Sequence, residues 1–356
     1  MKQNTLRVLL KAKRQLASAT RYRPSNSVSL NRQEKPNDIS FEIVAAYSEA
    51  LIAEINDPRS GMNRGHFFEP RNAYVVRNII FEPRLGLIYS KDGNLIEESI
   101  NWPIFQFYNS FPWNPGPRLK KIHLDSAIFL TSSAFGHWLM EDLPLTVFAL
   151  ELHPKAPILV ASNPPKFVSD FLKLIDREVI YLDGPVEVDS LIFVQKNQDS
   201  GWPHPKDLET LNQFEPFSLA KSKKSPERKI YTSRQGSKRS PRNEAAIEGL
   251  FRDSGFEVFR METLALLDEI QLMSETTIIA GVHGSALSNI IWMPHGGLMI
   301  DIVNDDYWTE AGHRLAHFKT STYEYVKYYG AFESEISIVS LENELELIRG
   351  RHPGLL

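Results

Sequence analysis

Apolar and polar positions alternate along much of the chain with periods that specify strands and helices in turn. Tyr74–Phe81 and Leu85–Tyr89 read as strands, and Lys91-Asp92-Gly93-Asn94 is a strong turn signal. From Ile122 the pattern becomes strand, helix, strand. Ile122–Thr131 is extended, Phe135–Leu152 is helical and Pro157–Ser162 is extended. Pro165–Ile175 is helical, and Glu178–Leu182 and Val186–Gln195 are extended. Pro144 is expected to kink or end the first of these helices. The stretch 196–228, with GWPHP and KSKKSPERK, breaks the rhythm and reads as a connection. The second half resumes with a strand at Lys229–Ser233, a helix opened by Ser240 and Pro241 and stopped by Gly255, and a strand at Phe256–Met261. A helix at 263–275, a strand at Thr276–Val282, a helix after His283-Gly284 and a buried strand at Leu298–Val303 complete the pattern.

Such alternation implies βαβ units and largely parallel sheets. The expected fold class is α/β, with two Rossmann-like domains facing across a cleft and ligands at the carboxyl ends of the strands. The expected division is a basic, poorly ordered leader (1–40) with a short helix in 4–18, and an N-terminal domain (41–215). A C-terminal domain (222–332) and a tail (333–356) follow.

Composition narrows the function. The chain has 356 residues, 42% apolar and 24% charged, which fits a soluble globular protein. No long uncharged apolar run or signal peptide is visible, and cysteine is absent, excluding disulfides, a thiol nucleophile and thiolate metal sites. Cytoplasmic residence is the expectation. The net charge of -4 is unevenly spread: residues 1–35 hold nine Lys/Arg against Glu34, leaving -12 for the rest. An acidic body argues against nucleic acid as a partner, whereas the basic leader could rest on an anionic inner membrane leaflet.

Three segments carry candidate chemistry. In residues 278–289, IIAGVHGSALSN, a strand runs into His283, Gly284 and Ser285 and then a helix holding Asn289. Free amides at such a helix start favour an anion, and His283 could donate to a phosphate oxygen. In residues 231–244, YTSRQGSKRSPRNE, Arg234 follows a strand end, while Arg242, Asn243 and Glu244 open a helix. Arginine suits bidentate phosphate contact. In residues 132–145, SSAFGHWLMEDLPL, His137 and Glu141 share a helical face and could take a proton from a hydroxyl. His313 and His317 lack the glutamate of a zinc-protease motif, and no Asp-x-Asp is present, so no metal site and no cofactor are expected. The aromatic run at 101–117 could offer sugar-stacking faces.

Taken in order, FGHWLMEDLP, IYTSR with RNE, GFEVF and GVHGSALSNIIWMPHGGLMIDI resemble glycosyltransferase family 61 over about residues 120–330. The resemblance extends to the bacterial capsular-polysaccharide type. It implies a GT-B fold and inverting, metal-independent transfer of a hexosyl or pentosyl group from a nucleotide sugar, first of all a UDP-sugar, to an oligosaccharide or polysaccharide acceptor. It places Arg234, Arg242, Asn243, Glu244, His283, Gly284, Ser285 and Asn289 at the donor, and His137 and Glu141 at the acceptor. Val282 and Ser285 depart from the family's more usual proline and alanine, and residues 132–136 lack its asparagine and tyrosine. The alternatives are a pyruvyl transferase on the same fold and a non-catalytic glycan-binding protein.

Overall fold

The computed structural model describes residues 27–28, 40–57, 62–100, 119–197, 203–237, 239–307 and 309–354. The helix expected in 4–18, most of the basic leader and the whole aromatic run at 101–117 lie outside the described residues. Strands in the first half are β1 (Ser27–Val28), β2 (Ser40–Ser48), β3 (Leu51–Asp57), β4 (Met62–Phe68), β5 (Arg71–Glu82), β6 (Leu87–Tyr89) and β7 (Leu95–Ile96). They continue with β8 (Lys120–Ile122), β9 (Ile128–Leu130), β10 (Ile158–Ala161), β11 (Val179–Leu182) and β12 (Val186–Val194). The second half holds β13 (Arg228–Thr232), β14 (Glu257–Phe259), β15 (Thr276–Val282), β16 (Leu298–Asn304) and β17 (Thr322–Tyr328). The protein is mixed α/β, as the alternation predicts. Among the described residues no helix is long and apolar enough to cross a membrane.

The second half matches the expected grammar closely. Its five strands run in the order β14-β13-β15-β16-β17, every pair parallel. Numbered from β13, that order is 2-1-3-4-5, a doubly wound sheet whose strand order reverses between β13 and β15. The reversal opens a crevice at the carboxyl ends of those two strands, because the chains leaving them depart to opposite faces. Arg234 follows β13 and His283 follows β15, so the topology sets both at the crevice.

The first half differs from a Rossmann-like unit. Among the described residues its larger sheet has ten strands and is mixed: β12, β9, β10 and β11 are mutually parallel, but β5 pairs antiparallel with β12, β2 and β6. A short connection explains only the β5–β6 pair, since strands joined by a tight turn pair antiparallel; β5 meets β12 and β2 across intervening elements. The Lys91–Asn94 turn forms as expected, with Gly93 at φ 83° and its amide bonded to the Ser90 carbonyl at 3.0 Å. Ser27 and Val28, within the segment expected as a leader, pair with β7.

Two further segments are more structured than their patterns suggest. The expected connection contains α-helices at Pro205–Gln213 and Glu215–Ala220. The former is anchored by Asp207, which accepts from buried Arg71 (2.8 Å) and Tyr47 (2.7 Å). The expected tail contains a helix at Ile338–Arg351, whose Leu341, Leu345 and Ile348 are buried in the core of the second sheet.

One apolar core spans both halves, joining Trp138, Phe171 and Phe217 to Ile290, Trp292 and Met299. Aromatic rings link it across: Trp138 to Phe171 at 6.2 Å, Phe171 to Phe217 at 6.1 Å and Phe217 to Trp292 at 5.2 Å. Phe217, supplied by the connection, is fully buried at that junction. Removing a buried phenylalanine forfeits transfer energy and leaves a cavity, so Phe217→Ala should destabilise the protein by about 3–5 kcal/mol. Urea unfolding checks this, and a loss below about 1 kcal/mol would place the ring outside the shared core.

Candidate active site

At the crevice, Thr232 on β13 lies in register with Gly281 on β15. A Cβ on Gly281 would collide with the Thr232 hydroxyl and approach its carbonyl to 3.1 Å, so only glycine permits this pairing. Two residues further on, an Arg234 Nη donates to the His283 backbone carbonyl. The Arg234 amide donates to Glu244 Oε1 (2.8 Å), which also accepts from the Tyr231 hydroxyl (3.0 Å). Glu244 is thus part of the loop's support, and burial pushes its carboxyl pKa up. Burial, followed by the neighbouring charge of Arg239, lowers the pKa of half-buried Arg234.

Gly284 matters for space, not for backbone angle. Its φ of 173° is ordinary extended backbone, but a Cβ there would fall on the Arg234 guanidinium. After it, the expected helix forms over Ser285–Trp292 with 3-10 geometry. Its first backbone bond runs from the Leu287 amide to the Gly284 carbonyl (3.1 Å). The amides of Ser285 and Ala286 therefore precede the helical ladder, where helix starts offer donors to an anion.

The His283 ring is held from both sides. Nδ1 is 2.9 Å from Asp301 Oδ2 and Nε2 is 3.1 Å from Thr309 Oγ1. Asp301, fully buried on β16, also accepts from the Tyr323 hydroxyl at 3.1 Å. With the carboxylate on Nδ1, that nitrogen carries the hydrogen, and in the neutral ring Nε2 accepts from Thr309. The ring is therefore engaged within the protein, where the sequence suggested a donor to phosphate. The backbone carbonyl of His283 is what meets Arg234.

The acceptor-side candidates lie on a helical run with an irregular centre. An α-turn, Phe135–His137, passes into a π turn, Trp138–Asp142, and then into an α-helix, Leu143–Leu152. Pro144 has no N–H to continue the ladder and its ring would strike the carbonyl four residues earlier. Widening the preceding turn relieves both problems, so the helix continues past the expected break. Across the π turn, His137 Nδ1 meets Glu141 Oε1 at 3.2 Å. Burial disfavours the charged ring, but the Glu141 hydrogen bond and charge, with the charge of Asp142, prevail over it and hold His137 above its usual 6.5. Asp142 points into a separate buried cluster, accepting from Thr131 (2.5 Å) and Ser133 (2.7 Å) and pairing with Lys196 (2.9 Å).

The two regions adjoin. A Cβ on Gly136 would lie 2.9 Å from Ser288 Oγ and 3.4 Å from Ser285 Cβ. This close approach seats the helix of His137 against the start of the 3-10 helix that follows Gly284. Half-buried Ser285 sits at that seam.

Other expected donor residues face different tasks. The Asn243 amide donates to the Ile336 carbonyl (2.7 Å) and its oxygen accepts from the Ile336 amide (3.0 Å), tying down the C-terminal segment. Arg242 is exposed and its backbone amide meets the Glu333 carbonyl at 3.3 Å. Asn289 is fully buried and donates to the Ala286 carbonyl (3.2 Å). His313 stacks on Tyr323 at 5.0 Å and 5°. Among the described residues no group of three or more His, Cys, Asp or Glu is placed to hold a metal.

Sequence reasoning missed Asp301, Thr309 and Lys196 as supports. Asp301 had a signal, a lone acid inside the apolar strand LMIDIV. Lys196, just after a buried strand, had a weaker one, and Thr309 had none.

Residues 135–300 match the family model described as Glycosyltransferase 61. Over that segment, a little under half of the chain, the protein is similar to glycosyltransferase family 61. The segment begins at the helix of His137 and includes Arg234, His283 and Gly284. No curated protein matches the chain.

The two glycines give separable expectations. Gly281→Ala forces a side chain onto a neighbouring strand and should destabilise by about 1–3 kcal/mol. Gly284→Ala displaces only the far end of a flexible arginine and should change stability by no more than about 0.5 kcal/mol. Thermal melting distinguishes them, and a crystal structure of Gly284→Ala should show the Arg234 guanidinium moved off the His283 carbonyl.

Proposed function

We propose that the protein is an inverting, metal-independent glycosyltransferase of GT-B-like arrangement. It moves a hexosyl or pentosyl group from a nucleotide-diphosphate donor, first of all a UDP-sugar, to a glycan acceptor in cell-surface polysaccharide synthesis of the bacterial capsular kind. The reaction is cytoplasmic in this reading, with the basic leader resting on the inner membrane. The C-terminal half takes the donor and the N-terminal half the acceptor. The observation that carries the reading is the junction of Arg234 with the His283 carbonyl at the sheet's reversal point, with the His137 helix seated on the same 3-10 helix.

The chemistry follows from that placement. His137, oriented by Glu141, takes the proton of an acceptor hydroxyl. The hydroxyl oxygen forms a bond to the anomeric carbon as the bond from that carbon to the diphosphate oxygen breaks. Attack from the face opposite the leaving group inverts the centre. The electron pair departs with the diphosphate, where Arg234 and the Ser285 and Ala286 amides stabilise the growing negative charge. Donors fixed before the reaction are effective because they need no reorientation as charge develops.

Arg234→Ala should therefore weaken donor binding and lower kcat together, kcat by on the order of a hundredfold. Unchanged kinetics would remove Arg234 from the site. The direct test is a panel of nucleotide sugars: a true donor at a hundred times its Kd should stabilise the fold by about 2.7 kcal/mol. Stabilisation by phosphoenolpyruvate alone would favour pyruvyl transfer. Glycan binding that survives loss of both Arg234 and His137, without turnover, would favour a non-catalytic role.

The base assignment has its own signature. A base works in its neutral form, so the rate falls as pH drops through the raised pKa of His137. Glu141→Gln removes the charge that raises it, and the acidic limb of kcat/KM should move to lower pH. A limb that stays in place would detach it from this pair.

A further inference from the structure

The loop that carries Arg234 brings a second arginine toward it. The Ser237 amide donates to the Arg234 carbonyl (2.9 Å) and the Ser240 amide to the Ser237 carbonyl (3.2 Å). Gly236, at φ 82°, supplies the left-handed residue that this tight turn requires. The turn returns the chain so that Arg239 and Arg234 interact electrostatically.

Arg239 is held by rings. Its guanidinium carbon lies 5.4 Å from the centroid of Tyr307 and 5.6 Å from that of Phe332. Those rings meet edge to face at 5.2 Å, and Tyr307 also approaches the His283 ring at 6.2 Å. Aromatic faces attract a guanidinium without occupying the N–H groups at its edge. Among the described residues, neither Arg234 nor Arg239 forms an ion pair with a carboxylate, and Glu244 is engaged by the Arg234 amide and Tyr231. Two neighbouring guanidinium groups, both half-buried and mutually repelling, are an unfavourable arrangement for a fold alone. An anion of at least two charges placed between them converts that repulsion into attraction.

We propose that Arg239, fixed by Tyr307 and Phe332, is the second cation of the donor site, and that it and Arg234 together select a nucleoside diphosphate over a monophosphate. The inference rests on the reading of this crevice as the nucleotide-sugar site. Each guanidinium engages one phosphate group, in the edge-on geometry that arginine offers to phosphate oxygens. Arg239 thus acts as a binding and specificity residue, separate from the proton transfer at His137.

Calorimetric titration of the full chain with uridine diphosphate and uridine monophosphate, and with pyrophosphate and phosphate as a base-independent pair, tests this. The wild type should prefer the diphosphate of each pair. Arg239→Gln should weaken diphosphate binding by about 10- to 100-fold, as loss of a charged hydrogen bond does, and monophosphate binding by less than about threefold. Arg239→Lys, which keeps the charge and loses the fork, should fall between them. Tyr307→Leu, which keeps both arginines, should lose part of the preference. Thermal melting of each variant verifies the fold. If Arg239→Gln binds diphosphate like the wild type while Arg234→Ala does not, the inference is wrong and the donor reading stands. Equal losses for both members of a pair would also overturn it. A wild type that binds none of the four probes would defeat the donor reading itself, and this inference with it.

Discussion

The contact on which the site depends is a charged side chain held against a backbone carbonyl. Arg234 reaches the oxygen of His283 because β13 and β15 are neighbours in the parallel sheet and because Gly284 lacks a Cβ. Each condition comes from a different level. Strand order makes the crevice, Gly281 allows the strands to approach, and Gly284 leaves room for the guanidinium. Behind these, Asp301 and Thr309 fix the His283 ring, so the residue whose carbonyl receives the arginine does not turn freely.

The other half of the site is arranged by a proline. A regular α-helix through Pro144 would carry a steric clash, and the π turn before it is the local remedy. Its effect extends beyond relief of strain. His137 and Glu141 remain in contact across the widened turn, while Asp142 turns to Lys196, Thr131 and Ser133. Two adjacent acids thereby have distinct environments. Glu141 serves the histidine, and Asp142 is committed to a buried cation and two hydroxyls.

Much of the second sheet was legible because each strand there is short, apolar and bounded by a turn or helix signal. That legibility carried through to the site, since residues just after parallel strands fall at the crevice. Orientation within an element was not legible. Asn243, Glu244 and Asn289 sit close in sequence to the arginine loop and the His-Gly turn, yet their side chains turn inward to hold backbone or neighbouring residues. A polar residue that supports a loop has the same sequence signature as one that touches a ligand. The connection around 205–220 was obscured for another reason. Its prolines and charges look like a linker, but Pro205 is at a helix start and Leu208, Leu211 and Phe217 face the shared core. The mixed sheet of the first half depends on long-range pairing of β5 with β12 and β2, which no local period encodes.

The ring pair around Arg239 has a temporal consequence. Arg234 and Arg239 emerge from the ribosome well before Phe332, and before the C-terminal helix whose approach Asn243 secures through Ile336. A growing polypeptide therefore acquires its cationic loop first and its aromatic clamp afterwards. Throughout that interval the cationic loop lacks one of the two rings that flank Arg239, and completion of this cluster waits on translation of a region distant in sequence from the loop.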